Sequence, residues 1–319
     1  MAAYLARRSA VSVVVLIGIS MVVFLMLHSV YPSPALDVLG LRASPAAVAA
    51  WNRDNGFTAP VTVQYWHYLD GLLHGHLGYS YKLNQSVAAL FGERWARSFY
   101  LSGSALLLAI LIAIPVGIYQ AVRRNRLADH IASGLQLALY AAPEFLVYLL
   151  AIQLFAYTWG VLDYHASQSV SVLTVMADWR SMMLPIACFA VVILAGLSRY
   201  MRSSALDALG QDYIRVARAK GLPERLILSR HVLRNACLPI ITLVGLSIPA
   251  LLAGNLIVET VFSYNGLGLL FTTSLQNEDY PVLLAYTLVG AVLTVLGNLM
   301  ADVALMAADP RLRLAAARH

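Results

Sequence analysis

The sequence predicts an all-α integral membrane protein of six transmembrane helices with both termini cytoplasmic. Three observations lead there. The 319 residues are 60% hydrophobic and only 12% charged, about half the charge of a soluble domain, so lipid is the main solvent. Apolar runs long enough to cross a ~30 Å hydrocarbon core recur six times. The basic residues between those runs collect on one side.

In chain order, Arg7 and Arg8 precede the uncharged run of residues 10–30. That run exceeds the apolar core of about 7–15 residues found in a secretory signal. It ends in Tyr31, Pro32 and Pro34, so it reads as a retained first span. Residues 32–97 are mixed and polar, and form the one sizeable extracytoplasmic segment. Within it Tyr65, Leu69 and Leu72 share one helical face. That face suits a helix lying at the interface, where Trp and Tyr prefer to sit, or equally a helix packed on its own chain. Further spans are expected at 99–119, 131–157, 182–200, 236–258 and 282–306. The chain thus divides into 1–97, a first helix plus extracytoplasmic segment, and 98–319, a five-helix core.

The basic residues orient it. Arg7 and Arg8, then Arg123, Arg124 and Arg126, eight Lys or Arg in 199–235, and Arg311, Arg313 and Arg318 fall on the N-terminal side. The other side keeps Arg42, Arg53, Lys82, Arg94, Arg97 and Arg180. The positive-inside rule puts the first side in the cytoplasm. Topology accounts for the net charge of +6, so no nucleic-acid partner is expected. Cys188 and Cys237 sit in or beside apolar runs and read as buried hydrophobes rather than a disulfide or metal pair.

Residues 199–235 hold the longest polar interruption of the second half. Leu206, Leu209, Tyr213 and Val216 recur at helical spacing, with Asp207, Gln211, Arg215 and Arg218 opposite, predicting an amphipathic helix over 205–221. Gly221 is suited to stop it in a left-handed turn. Pro223 is suited to the first turn of a second helix. A rigid helix–turn–helix tied into the next span can transmit force; a solvated basic loop that only enforces topology is the alternative.

Some polar residues fall at membrane depth. Glu144, beside Pro143 in the third expected span, either lines a water-filled path or is satisfied by a neighbouring span. Asn255 and Glu259, closing the fifth, are candidates for the edge of an outer gate. Asp302 reads as structural, His28 as packed, and Gly245, Gly254, Gly290 and Gly297 as helix-packing positions. No G-x-x-x-x-G-K-S/T phosphate loop and no H-E-x-x-H zinc motif occurs in the sequence, so it supplies neither of these routes to catalysis. A secondary transporter would want coupling groups and broken repeats at mid-membrane, and only Glu144 is a candidate.

The segment RVARAKGLPERLILSRHVLRNACLP resembles the cytoplasmic coupling (EAA) loop of bacterial ABC importer permeases, in the first-permease (B-type) branch of the dipeptide/oligopeptide/nickel family. VETVFSYNGLGLL, EDYPVL, ADPRLR, VQYWHYLDGLLHGHLGYSY and YLARR are similar to other stretches of that branch, in the same order. Arg215 stands where many permeases have Glu and Arg234 where many have Pro, as is common in the B-type branch; His76 stands where the branch usually has Asp. The resemblance implies a multi-pass subunit of the bacterial plasma (inner) membrane with a type I importer fold, forming half of a peptide channel. It implies a second homologous permease, two ATPase subunits or one fused pair holding ATP and Mg, and an extracytoplasmic substrate-binding protein. It implies no catalytic residue, metal or cofactor in this chain. ATPase coupling would fall to Arg215, Ala217, Arg218, Ala219, Lys220, Gly221, Leu222 and Pro223, with Ala217, Ala219 and Gly221 allowing close contact.

Overall fold

Long apolar helices dominate the architecture because, in lipid, only a helix or a closed barrel satisfies every backbone polar group internally. The computed structural model describes residues 2–40, 42–169 and 171–308. Arg311, Arg313 and Arg318 and the side chain of Asp302 lie outside the described residues. Among the described residues, five helices are long and apolar enough to cross a membrane, and one bent pair completes a sixth crossing if it counts as a single span.

Helix α1 is Ala2–Val30. It is followed by short helices α2 (Ala35–Leu39), α3 (Pro45–Asp54) and α4 (Val61–Leu73). A two-stranded ribbon, β1 (Tyr79–Ser80) against β2 (Gln85–Ser86), is a small departure from an all-helical chain. Helix α4 packs on α1: Ser20 Oγ and Tyr65 Oη lie 2.8 Å apart, and the rings of Phe24 and Tyr68 stack at 5.4 Å, while Trp66 stays 70% exposed. His28 packs on Phe24, as expected.

The core pairs α5 (Val87–Val122) with α9 (Trp179–Leu209). Small residues make their approach possible: Ala105, Ala109, Ala113 and Ala190 are buried between them, as close helix packing in lipid requires. At Gly117 an added Cβ would sit 2.6 Å from Met201 Cβ and 2.9 Å from the Arg202 backbone nitrogen. Glycine there is therefore a condition of the crossing. Helix α5 runs unbroken through residue 97, so the sequence division at 97/98 falls inside a helix.

The expected third span, 131–157, is not one helix. Helices α6 (Leu127–Ala141) and α7 (Glu144–Ala151, continuing as a widened π turn to Thr158) meet at 109°. Pro143 is the cause. Its ring cannot donate to the carbonyl four residues back, and it drives Ala142 into extended backbone (φ −74°, ψ 139°). A polar stripe on α6 holds it to the core. Asp129 receives two bonds from Arg202 at 2.7 and 2.8 Å, Ser133 donates to Asp129 at 3.4 Å, and Gln136 donates to the buried Gln120 at 2.9 Å.

Helix α8 (Val172–Ala177) precedes α9. Helix α9 has 31 residues and spans ~46 Å, which overshoots a ~30 Å core. Its length leaves turns to spare beyond a hydrocarbon core crossed upright. There follow α10 (Asp212–Ala219), α11 (Glu224–Leu226, leading through a π turn at Ile227–Val232), α12 (Leu233–Ala253), α13 (Leu256–Val261), α14 (Leu267–Gln276) and α15 (Tyr280–Ala308). The expected fifth span, 236–258, ends early: Gly254 takes φ +83° and stops α12. Gly254 also packs closely, as expected: an added Cβ would sit 2.8 Å from Glu259 Oε1, 3.0 Å from Ser98 Oγ on α5 and 3.1 Å from the Gly268 backbone nitrogen. Cys188 and Cys237 are free thiols in separate apolar clusters, as expected.

Candidate functional site

The arginine-rich end carries a compact hairpin. The single helix expected over 205–221 is two. Helix α9 continues to Leu209, Gln211 is extended (ψ 149°), and α10 begins at Asp212. The break resets the helical phase. Ala205, Ala208, Ile214 and Ala217 face inward, whereas Tyr213 and Val216, expected to share the inner face with Leu206 and Leu209, are 39% and 52% exposed.

The turn after α10 follows the sequence reading closely. Gly221 has φ +75°. Its N–H donates to Arg218 O at 2.9 Å, and the Leu222 N–H reaches back to Ala217 O at 3.3 Å. These are the paired bonds of a Schellman cap, with Leu222 and Ala217 in its usual apolar contact positions. Pro223 precedes the next helix by one residue rather than opening its first turn. Arg218 and Glu224 brace the turn through two bonds, at 2.7 and 3.3 Å. Ile214, Ile227 and Val232 are fully buried beneath it. Asn235 on α12 donates to Tyr213 Oη at 2.8 Å. The hairpin is thus built into α12 and is not a loose loop.

Of the eight residues expected to meet a partner, Arg215, Arg218, Ala219, Lys220, Gly221 and Pro223 are exposed, and Leu222 is partly buried. Ala217 is not available: it is 4% exposed, against its own chain. Its small size serves the internal packing.

At the opposite end lies a knot of polar residues, two of which were expected beside a path. Glu259 is 0% exposed. Its carboxylate accepts from the N–H groups of Gly268 (2.7 Å), Leu269 (3.2 Å) and Asn255 (3.3 Å). Ser98 Oγ accepts from Leu267 N–H at 2.8 Å. Together they satisfy the open end of α14. Asn255 caps α13 through bonds from Ile257 and Val258 N–H, both at 3.0 Å. Tyr264 Oη donates to the Arg97 carbonyl at 3.0 Å, and Arg97 is 2% exposed. Asn255 and Glu259 therefore anchor the α13–α14 loop onto α5, Glu259 fully buried and Asn255 partly exposed. Glu144 is the first residue of α7, where a negative charge meets free N–H groups. It is only partly buried, and Tyr148 Oη lies 3.5 Å from its Oε2.

Comparison with known proteins decides the family. The model of the binding-protein-dependent transport system inner membrane component matches residues 113–314. The corresponding N-terminal model matches residues 1–102. The chain belongs to this family of inner membrane transport components. Similar full-length relatives include the dipeptide transport system permease protein DppB of Escherichia coli (strain K12), 34% identical over 97% of this chain and 98% of the relative. The oligopeptide transport system permease protein AppB of Bacillus subtilis (strain 168) is 34% identical over 98% and 99%. The glutathione transport system permease protein GsiC of Salmonella typhimurium (strain LT2) is 32% identical over 97% and 98%.

In this permease component the Glu259 knot carries a measurable consequence. Glu259 lies outside the candidate spans. Burial pushes its carboxyl up from 4.5 to about 7, against the bonds from Ser98, Leu269, Gly268 and Asn255, which pull it down. Between those two values the folded chain keeps a proton that the unfolded chain has released. The stability that Glu259 contributes is therefore fully present below pH 4.5 and is lost as pH rises through about 7. The amplitude is about 3 kcal/mol at most. The apparent Tm of the detergent-purified permease should fall between pH 5 and pH 8, and Glu259→Gln should flatten that slope. An unchanged slope in the variant would refute the assignment.

The sequence reading missed Arg97, Ser98 and Tyr264, whose partners are 167 and 169 residues distant. It also missed the α6 stripe, although Asp129, Ser133 and Gln136 recur at helical spacing and were visible in principle.

Proposed function

We propose that this chain forms half of the translocation channel of an ATP-driven peptide importer and receives force through the α10–Gly221–α11 hairpin. The observation that carries the substrate class is the set of nearly full-length relatives, named for dipeptides, oligopeptides and glutathione, itself a tripeptide. The coupling role is supported by the hairpin's construction. It is exposed on its outer surface, locked by a Schellman cap and an ion-pair brace, and continuous through α11 with α12. A push on such a unit moves α12 instead of dissipating in a loop. Residues 98–319 form the core, and residues 1–97 flank it.

In this reading the arginine-rich end, and with it both termini, faces the cytoplasm. Each of two homologous permeases docks its hairpin on an ATPase, present as two subunits or one fused pair, which holds the ATP and Mg. An extracytoplasmic substrate-binding protein delivers the peptide. Glu144, the one accessible carboxylate of the three path candidates, faces the path near the kink. The test is purification of the tagged chain in mild detergent after expression from its native gene cluster, with the accompanying subunits identified by mass spectrometry. A second permease and one or two P-loop ATPases are expected. Recovery of this chain alone, in one stable oligomeric form, would overturn the proposal in favour of a secondary transporter.

A further inference from the structure

Residues 212–235 carry six cations and two acids. Both acids are consumed within the hairpin: Asp212 pairs with Arg215 at 3.4 Å and Glu224 with Arg218 at 2.7 Å. Lys220, Arg225, Arg230 and Arg234 have no acidic partner among the described residues. Two of them share a site. Arg230 and Arg234, one helical turn apart, line a cavity of about 490 Å³ with Tyr213, His231, Asn235 and Leu238. The cavity lies directly against α10, because Tyr213 forms one wall and bonds to Asn235 in the other. Asp207 lines a separate cavity on the far side of Tyr213 and makes no ion pair with either arginine.

Two guanidiniums concentrated in one concavity repel each other until an anion enters. Arginine's fork geometry selects a carboxylate or phosphate over a generic counterion. We propose that this cavity receives acidic side chains of the ATPase that docks on α10, so that the partner's docking surface is acidic and grips α12 as well as the hairpin. The proposal rests on the coupling reading above and adds the chemistry of the partner. The position of the cavity favours a protein occupant over a lipid headgroup, because the exposed Tyr213 of α10 forms one of its walls, so a partner seated on α10 at Tyr213 meets the cavity directly.

The test uses the whole complex, co-expressed, with the double charge reversal Arg230→Glu/Arg234→Glu in this chain. Both side chains are exposed, so insertion should be normal. Arg230→Gln/Arg234→Gln gives the same reading with a smaller effect should the reversal fail to insert. Recovery of ATPase per permease and its salt dependence are measured, with lipids counted by native mass spectrometry. The reversal should weaken ATPase binding by roughly 10–100-fold. The neutral pair should lower binding less and reduce its salt dependence. Exchanging the acidic ATPase residue found by cross-linking from position 234 for Lys should restore binding to the reversed variant. Undiminished ATPase binding would sink the proposal. If Gly221→Trp still uncouples in that case, the coupling reading survives alone; if it does not, both fall. Retained ATPase with loss of a bound anionic phospholipid would assign the cavity to lipid instead.

Discussion

Gly221→Trp should leave the chain folded and inserted while abolishing transport and substrate-stimulated ATP hydrolysis. The two parts of that expectation have separate physical grounds. Holding a non-glycine residue at φ +75° costs about 1–2 kcal/mol. The hairpin should absorb it, because Ile214, Ala217, Ile227 and Val232 stay buried beneath the turn and the Arg218–Glu224 brace is untouched. Among the described residues, nothing beyond its two chain neighbours lies within 4 Å of a Cβ placed at 221, so the indole has no such neighbour to displace. It projects outward, from the turn that the proposed ATPase must approach. Gly221→Asn is the control. Asparagine enters the left-handed region far more readily than most residues and adds little bulk, so it should keep most of the transport. Normal peptide uptake by the tryptophan variant would remove the hairpin's coupling role. Equal loss in both variants would show that backbone conformation, rather than bulk at the partner surface, is what matters.

Asp129→Ala should cost about 3 kcal/mol of stability. The Asp129 side chain is 2% exposed and that of Arg202 is 27% exposed. Two charge-assisted bonds join them. Truncating the aspartate leaves the guanidinium largely desolvated and unpaired, and also removes the acceptor for Asn125 N–H at 3.0 Å. The pair ties α6 to α9 beside the close crossing at Gly117. Thermal unfolding in detergent should show a clear drop in Tm for Asp129→Ala. The double variant Asp129→Leu/Arg202→Met should recover most of it, since replacing both partners removes the orphaned charge. A double variant as unstable as the single would mean that the loss comes from packing and not from charge.

Much of the fold was readable because the membrane imposes a one-dimensional constraint. A run such as residues 10–30 must cross or lie in lipid whatever its neighbours do, and a helix is the only open structure that can. The Gly221 turn was readable for a similar reason. Glycine's access to positive φ is a local property, and α10 ends where that property is needed. The phase of α10 was not readable, since a two-residue break at Gly210 and Gln211 rotates everything beyond it. A periodicity count carried across the break assigned Tyr213 and Val216 to the wrong face.

The candidate site divides along the same line. Arg215, Lys220 and Gly221 are exposed on a hairpin whose residues announced a helix, a stop and a second helix. Ala217 did not announce its direction, because small size suits a partner's surface and a packed interior equally. Glu259 shows the limit most clearly. A carboxylate at the end of a span reads as costly and hence functional. Yet the three N–H groups that accommodate it come from Asn255, Gly268 and Leu269, and the hydroxyl beside them comes from Ser98, far upstream on α5.

Hydropathy, charge placement and the backbone limits of glycine and proline act over a few residues at a time, so they suffice to show that this protein lives in a bilayer and where a rigid polar hairpin interrupts its apolar crossings. Only the tertiary structure decided which polar groups are free to meet a partner and which are spent inside. Hydrogen-bond satisfaction in a low-dielectric interior depends on which groups folding brings within about 3 Å, and in this chain those groups are separated by anything from four residues to nearly two hundred.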